Sequence, residues 1–299
     1  MGSGGEEPLL DAAAMRQLES LSLAGVEAVV SGFGGQRPGA GRSRGLEFVD
    51  YRRYTPGDDL RGIDWNVYAR LREVVVKASP SEGHVDLALL LDGSRSMASG
   101  TPPKFRYAQQ LGAMLGTVAL LGADVVTVHL LADGESWTAA RLTAPHLVGE
   151  LVEEVATLPR GRRTDLTASL RAYRRQSPDV DLAVLITDGF AEPADLEAAL
   201  PELAGGAHAS ALVHLVDSAE AETPLRGPVE LRDIESGERL VVEVTPATRR
   251  AYNERFEAAA ADLRRLCEAS GVTYLRAATE VPALDLLFDV ARGGELVTA

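Results

Sequence analysis

Asp92, Ser94 and Ser96 stand at alternate positions of Asp92-Gly93-Ser94-Arg95-Ser96, directly after the apolar run 85–91. In an extended loop, that alternation turns all three side chains to one side. A carboxylate and two hydroxyls make a poor nucleophile system here, because no histidine stands nearby in the sequence to activate a serine. They make a sensible set for magnesium, which takes about six oxygens and keeps some of its own waters. Two further oxygen donors belong with them. Asp188 follows a second apolar run, 182–186, in Ile186-Thr187-Asp188-Gly189, and Thr164 lies in Gly161-Arg162-Arg163-Thr164-Asp165 ahead of a helical pattern.

Short apolar runs bounded by turn residues predict fully buried, parallel strands. Oxygen ligands at their carboxyl ends sit where open α/β sheets bind ligands. From 85 onward strand and helix patterns alternate: strands at 85–91, 124–132, 182–186, 209–216 and 274–278, and helices at 104–121, 146–158, 166–175, 194–203, 245–270 and 284–291. A further strand at 137–142 is expected beside 124–132, and a hairpin at 229–244 turning at Glu235-Ser236-Gly237-Glu238. This order predicts an α/β, doubly wound, mostly parallel sheet covered by helices on both faces. The expected organisation is an N-terminal part, 1–80, holding a helix over 7–23 and an irregular basic segment, followed by the sheet domain, 81–299.

The chain has 299 residues and a net charge of −14, which argues against a general nucleic-acid binder. Its charge is uneven, because residues 36–77 carry nine basic against six acidic side chains. One cysteine, Cys267, excludes an internal disulfide and a multi-cysteine zinc site. No apolar run approaches the ~18 residues that span a bilayer. The first residues lack a basic then apolar leader pattern, so a cytoplasmic protein without membrane insertion is expected.

Asp92-x-Ser94-x-Ser96, with Thr164 and Asp188 downstream, resembles the metal-ion-dependent adhesion site of von Willebrand factor A domains. The resemblance implies a von Willebrand factor A-like fold and a metal ligand set of Asp92, Ser94, Ser96, Thr164 and Asp188, the aspartates acting partly through water. Mg²⁺ is the expected ion, with Mn²⁺ or Ca²⁺ as substitutes. Only Asp92 and Asp188 bring charge to this set, so the ion would stay electrophilic and accept a carboxylate from a partner protein.

The basic segment is the second informative region. Arg53, Tyr54, Arg61, Asp64, Trp65 and Arg70 mix guanidinium forks, carboxylates and aromatic rings. They suit either a structural clasp or a partner-docking surface. Tyr51-Arg52-Arg53-Tyr54, Gly57-Asp58 and Ile63-Asp64-Trp65 resemble the signature of a bacterial family catalogued as domain of unknown function 58, and the likeness continues in Asp233-Ile234-Glu235-Ser236-Gly237-Glu238 and Tyr252. It implies an accessory protein working with MoxR-type AAA+ ATPases, without established enzymatic activity. Several relatives of that family carry N-terminal membrane helices, and none is expected here.

Enzyme alternatives fare worse. Haloacid-dehalogenase-like phosphatases need a second aspartate two residues after the first, where Ser94 stands. A P-loop would need glycine at Gln36 and lysine at Arg42. His84, His129, His146, His208 and His214 show no spacing of a Ser/His/Asp set. The expected function is a non-enzymatic, metal-dependent protein-binding adaptor for an AAA+ ATPase and an acidic client. The alternatives are a metal-dependent hydrolase and a polyanion-binding module built on the Arg-rich segment.

Overall fold

Strand β4 (Asp86–Asp92) shows how the main sheet forms, and the chain reaches it after a short N-terminal lead. The computed structural model describes residues 8–23, 50–53, 75–78, 84–159, 165–177, 180–233, 237–293 and 297–298. Ahead of β4 lie α1 (Ala12–Leu18), β1 (Ser22–Leu23), β2 (Asp50–Arg53) and β3 (Val75–Ala78). After it come α2 (Lys104–Leu121), β5 (Val125–Ala132), β6 (Glu135–Leu142), α3 (Val148–Thr157) and α4 (Leu166–Gln176). Next are β7 (Val180–Thr187), α5 (Pro193–Ala204), β8 (Ala207–Val216) and the single turn α6 (Ser218–Ala221). The chain closes with β9 (Gly227–Arg232), β10 (Arg239–Val244), α7 (Pro246–Ala269), β11 (Thr273–Ala278), α8 (Ala283–Gly293) and β12 (Val297–Thr298).

β4 is apolar at consecutive positions because both of its faces are buried. Leu87, Leu89 and Leu91 enter one core, while Ala88 and Leu90 enter the other. Alternating side chains of one strand thus feed two layers. β7 does the same, with Leu182, Val184 and Ile186 on the first side and Ala183 and Leu185 on the second. The first core is closed by α2, α3 and α8, and the second by α4, α5 and α7. The six strands run in the order β11-β8-β7-β4-β5-β6, parallel throughout except for the edge pair of β5 with β6. This is the mixed α/β, doubly wound, mostly parallel sheet that the sequence pattern predicts.

From β4 the chain passes to β5 on one side, and only later to β7 on the other. The carboxyl ends of β4 and β7 therefore flank the crevice where the winding reverses, the place for a ligand in an open α/β sheet.

Chain contacts separate two compact units, Met1–Gly34 with Val85–Ala299, and Gly35–His84. The N-terminal helix therefore groups with the sheet body, whereas the sequence pattern placed it with the basic segment. The physical reason is its apolar side: Leu9, Leu18 and Leu21 are buried in the first core, and β1 pairs antiparallel with β12. α1 is also shorter than the 7–23 expected. Asp11 starts it by accepting hydrogen bonds from the Ala13 and Ala14 amides, and the chain leaves helix after Leu18 to make the β1 pairing. In the second unit, β2 pairs antiparallel with β3, with Tyr51 opposite Lys77 and Arg53 opposite Val75.

The expected hairpin is present as β9 with β10, and Thr245 caps the long helix α7 by accepting from the Thr248 amide. Among the described residues no helix is long and apolar enough to cross a membrane. The packing of α1 yields a stability prediction. Leu18 is fully buried, so Leu18→Ala should lower unfolding free energy by about 2–4 kcal/mol in denaturant titration. A loss under about 0.5 kcal/mol would mean that α1 is not part of the core.

Candidate metal centre

The site is assembled by the last residues of β4 and β7. The ladder of β4 with β5 continues one step beyond the strand, where the Gly93 amide donates to Leu131 O at 2.9 Å. Space is tight there, because a Cβ would lie 3.0 Å from Leu130 Cδ1 and 3.2 Å from the Leu131 carbonyl. The chain then turns back on itself. The Ser94 amide donates to Asp92 Oδ1 at 2.9 Å, and the Ser94 and Ser96 hydroxyls lie 3.0 Å apart. Asp92 and Ser94 are buried and Ser96 half-buried.

From β7, Thr187 donates its hydroxyl to Asp92 Oδ2 at 2.7 Å and so locks the first carboxylate from the neighbouring strand. Asp188 follows, buried, and its Oδ1 accepts from the Phe190 amide at 3.2 Å. Gly189 between them has φ +65°, and a Cβ on it would come within 2.8 Å of Leu263. Asp92, Ser94, Ser96 and Asp188 are thus brought to the ends of two adjacent strands, as their order in the sequence predicts. Thr164 lies outside the described residues. Asp165, the next residue, caps α4 by accepting from the Ala168 amide at 2.9 Å.

The main departure from the sequence pattern is Lys104, the first residue of α2. Its side chain is fully buried, with Nζ 2.7 Å from Asp188 Oδ2 and 2.6 Å from Glu220 Oε1. The same ammonium lies 4.7 Å from the ring centroid of Phe190, which is itself exposed. Glu220 belongs to α6 and also accepts from the Ser99 hydroxyl at 3.2 Å. Neither Lys104 nor Glu220 figures among the sequence-derived site residues, and neither does Thr187. A lysine where α2 enters the core was the available signal, since lysine is almost never fully buried unless paired.

Electrostatics follow from burial. Asp92 has its pKa raised from 3.8 to about 6, first by desolvation and then by the charge of Asp188; the hydrogen bonds from Thr187 and Ser94 act the other way. His214, opposite Thr187 on β8, is pushed down to about 4, mainly by burial, and is therefore neutral at pH 7. Its Nδ1 lies 2.7 Å from the Tyr274 hydroxyl.

The donor set fits a hard divalent cation. All its atoms are oxygens, two of them on buried carboxylates whose mutual repulsion a cation would relieve. Asp188 Oδ2 is buried, and its charge is paired with the Lys104 ammonium at 2.7 Å. Among the described residues no three His, Cys, Asp or Glu side chains cluster as ligands.

Of the docking residues expected in the basic segment, Arg53 lies on β2, described here as backbone. Tyr54, Arg61, Asp64, Trp65 and Arg70 lie outside the described residues.

The raised pKa of Asp92 has a measurable consequence without metal. Its folded state holds the proton to higher pH than the unfolded chain does. That contribution to stability is complete below about pH 4 and is lost as pH rises through about 6. In EDTA, Asp92→Asn should remove this decline between pH 4 and 6. It should also stabilise the protein at pH 7.5 by at most about 3 kcal/mol, measured by urea unfolding. A variant less stable than wild type at pH 7.5 would contradict this account.

A family model described as Protein of unknown function DUF58 matches residues 50–262. Uncharacterized protein Rv1480 of Mycobacterium tuberculosis is 30% identical over 295 residues, covering 96% of this chain and 89% of that protein. Uncharacterized protein Mb1516 of Mycobacterium bovis is similar to the same extent. Among solved structures, the conserved hypothetical protein BatB from Bacteroides thetaiotaomicron covers 70% of this chain and 99% of its own, at 18% identity and a TM-score of 0.40. A von Willebrand factor type A protein from Catenulispora acidiphila covers 75% of this chain and 43% of its own, at 14% identity and a TM-score of 0.42. At these scores the two structures add nothing to the topology already described. The family match spans most of the sheet body as well as the β2–β3 pair, and this chain belongs to the DUF58 family.

Proposed function

We propose that this protein is a metal-dependent protein-binding adaptor, in which Asp92, Ser94, Ser96, Asp188 and Thr164 hold Mg²⁺ and the ion takes a carboxylate from an acidic client. One observation carries the reading. Two buried carboxylates, Asp92 and Asp188, stand at the ends of adjacent strands at the switch point of the sheet, with the Ser94 and Ser96 hydroxyls in the loop after the first. Neutral hydroxyls leave most of the charge of the ion unquenched, which suits capture of an anionic side chain.

No catalytic role is assigned: the buried neutral His214 is engaged with Tyr274, and the Ser94 and Ser96 hydroxyls lie against each other. Phe190, exposed at the rim, is suited to pack on the apolar part of a client. The adaptor is proposed to work in the cytoplasm with a MoxR-type AAA+ ATPase, on the family resemblance, with the basic segment as the docking surface for that partner.

Calorimetry with Mg²⁺ and Mn²⁺ tests the metal: wild type should bind one ion, and Asp92→Ala should abolish the heat of binding. A pull-down against an AAA+ partner and acidic clients should succeed with Mg²⁺. It should fail in EDTA or with the Asp92→Ala, Ser94→Ala double variant. Equal capture with and without EDTA would refute metal-bridged binding.

A further inference from the structure

We infer that Lys104 is a tethered counter-cation of the metal site, which competes with the divalent ion for Asp188 and sets how tightly that ion is held. The inference rests on the metal-binding reading above and concerns a residue outside the ligand set. Lys104 is fully buried, and its ammonium lies between Asp188 Oδ2 at 2.7 Å and Glu220 Oε1 at 2.6 Å. Those two carboxylates come from different strand-to-helix connections, so a single ammonium ties the loop after β7 to the turn after β8.

The charges explain why one lysine is not the whole answer. Asp92, Asp188 and Glu220 bring three negative charges to this edge, and Lys104 returns one. Asp217, also buried, spends its oxygens on the backbone amides of Thr101 and Ala219. Without its own cation the site would leave Asp188 buried and wholly uncompensated, which is strongly unfavourable. With Lys104 in place, an incoming ion meets a positive charge already on one of its carboxylates. Another monovalent ion would gain little by displacing an ammonium that is held covalently nearby. A divalent ion brings twice the charge and can prevail. Glu220 matters because it gives the ammonium a second partner as Asp188 turns to the metal.

Mn²⁺ affinity of the full chain, measured by calorimetry, provides the test, with thermal unfolding as the check that each variant is folded. Lys104→Met should tighten Mn²⁺ binding about tenfold or more, because the competing charge is gone. Glu220→Gln should weaken it about threefold or more, because Lys104 is then committed to Asp188. Lys104→Arg should stay within about threefold of wild type. Arg95→Gln, an exposed change in the same loop, should stay within about twofold, since water screens it.

A merely structural lysine would make both Lys104→Met and Glu220→Gln bind more weakly, whereas competition moves them in opposite directions. Unchanged or weaker binding by Lys104→Met overturns the inference, as does tightening by Arg95→Gln equal to that of Lys104→Met. If Lys104→Met does not fold, Glu220→Gln decides, and wild-type affinity there overturns the inference. Mn²⁺ bound by no variant overturns the metal reading as well. Mn²⁺ bound equally by all overturns only the role of Lys104.

Discussion

Burial of like charges at the carboxyl edge of the sheet is the constraint on which the site depends. Asp92 and Asp188 close two adjacent buried strands, and the charge of Asp188 adds to the cost of ionising Asp92. The fold meets this with hydrogen bonds to Asp92 from Thr187 and the Ser94 amide, and with an ammonium on Asp188. A carboxylate pair in such a place is unfavourable alone and favourable to a cation.

The surrounding architecture keeps that arrangement rigid. Two-sided burial of β4 and β7 fixes where each strand ends, since a register slip would move leucines from one core to the other. The glycines at 93 and 189 then allow the turns that follow the two strands. At one the neighbouring strand leaves little room for a side chain, and at the other the backbone is left-handed against Leu263. The α2 helix has two duties at once. Its apolar length covers the first core, and its first residue, Lys104, reaches Asp188 at the carboxyl edge of the sheet.

Much of this was legible in the chain. Continuous apolar runs announced strands buried on both faces, and the observed α2 has the bounds its pattern predicts. The order of oxygen-bearing residues after those runs located Asp92, Ser94, Ser96 and Asp188. The N-terminal helix was misgrouped because amphipathicity reports an apolar face and not the surface that covers it; Leu9, Leu18 and Leu21 found the main core. Local pattern also overextended α1, since the pairing of β1 with β12 joins opposite ends of the chain.

The sequence alone determined the element order, the parallel sheet and which oxygen-bearing residues follow β4 and β7, because these follow from local periodicity and from residue types at strand ends. Tertiary structure alone decided which charges meet. Thr187 reaches Asp92 across 95 residues, and Lys104 reaches Glu220 across 116. No local pattern encodes such encounters. They arise because the sheet winds outward from β4 in both directions and brings distant loops to one desolvated edge, where every charge must find a partner.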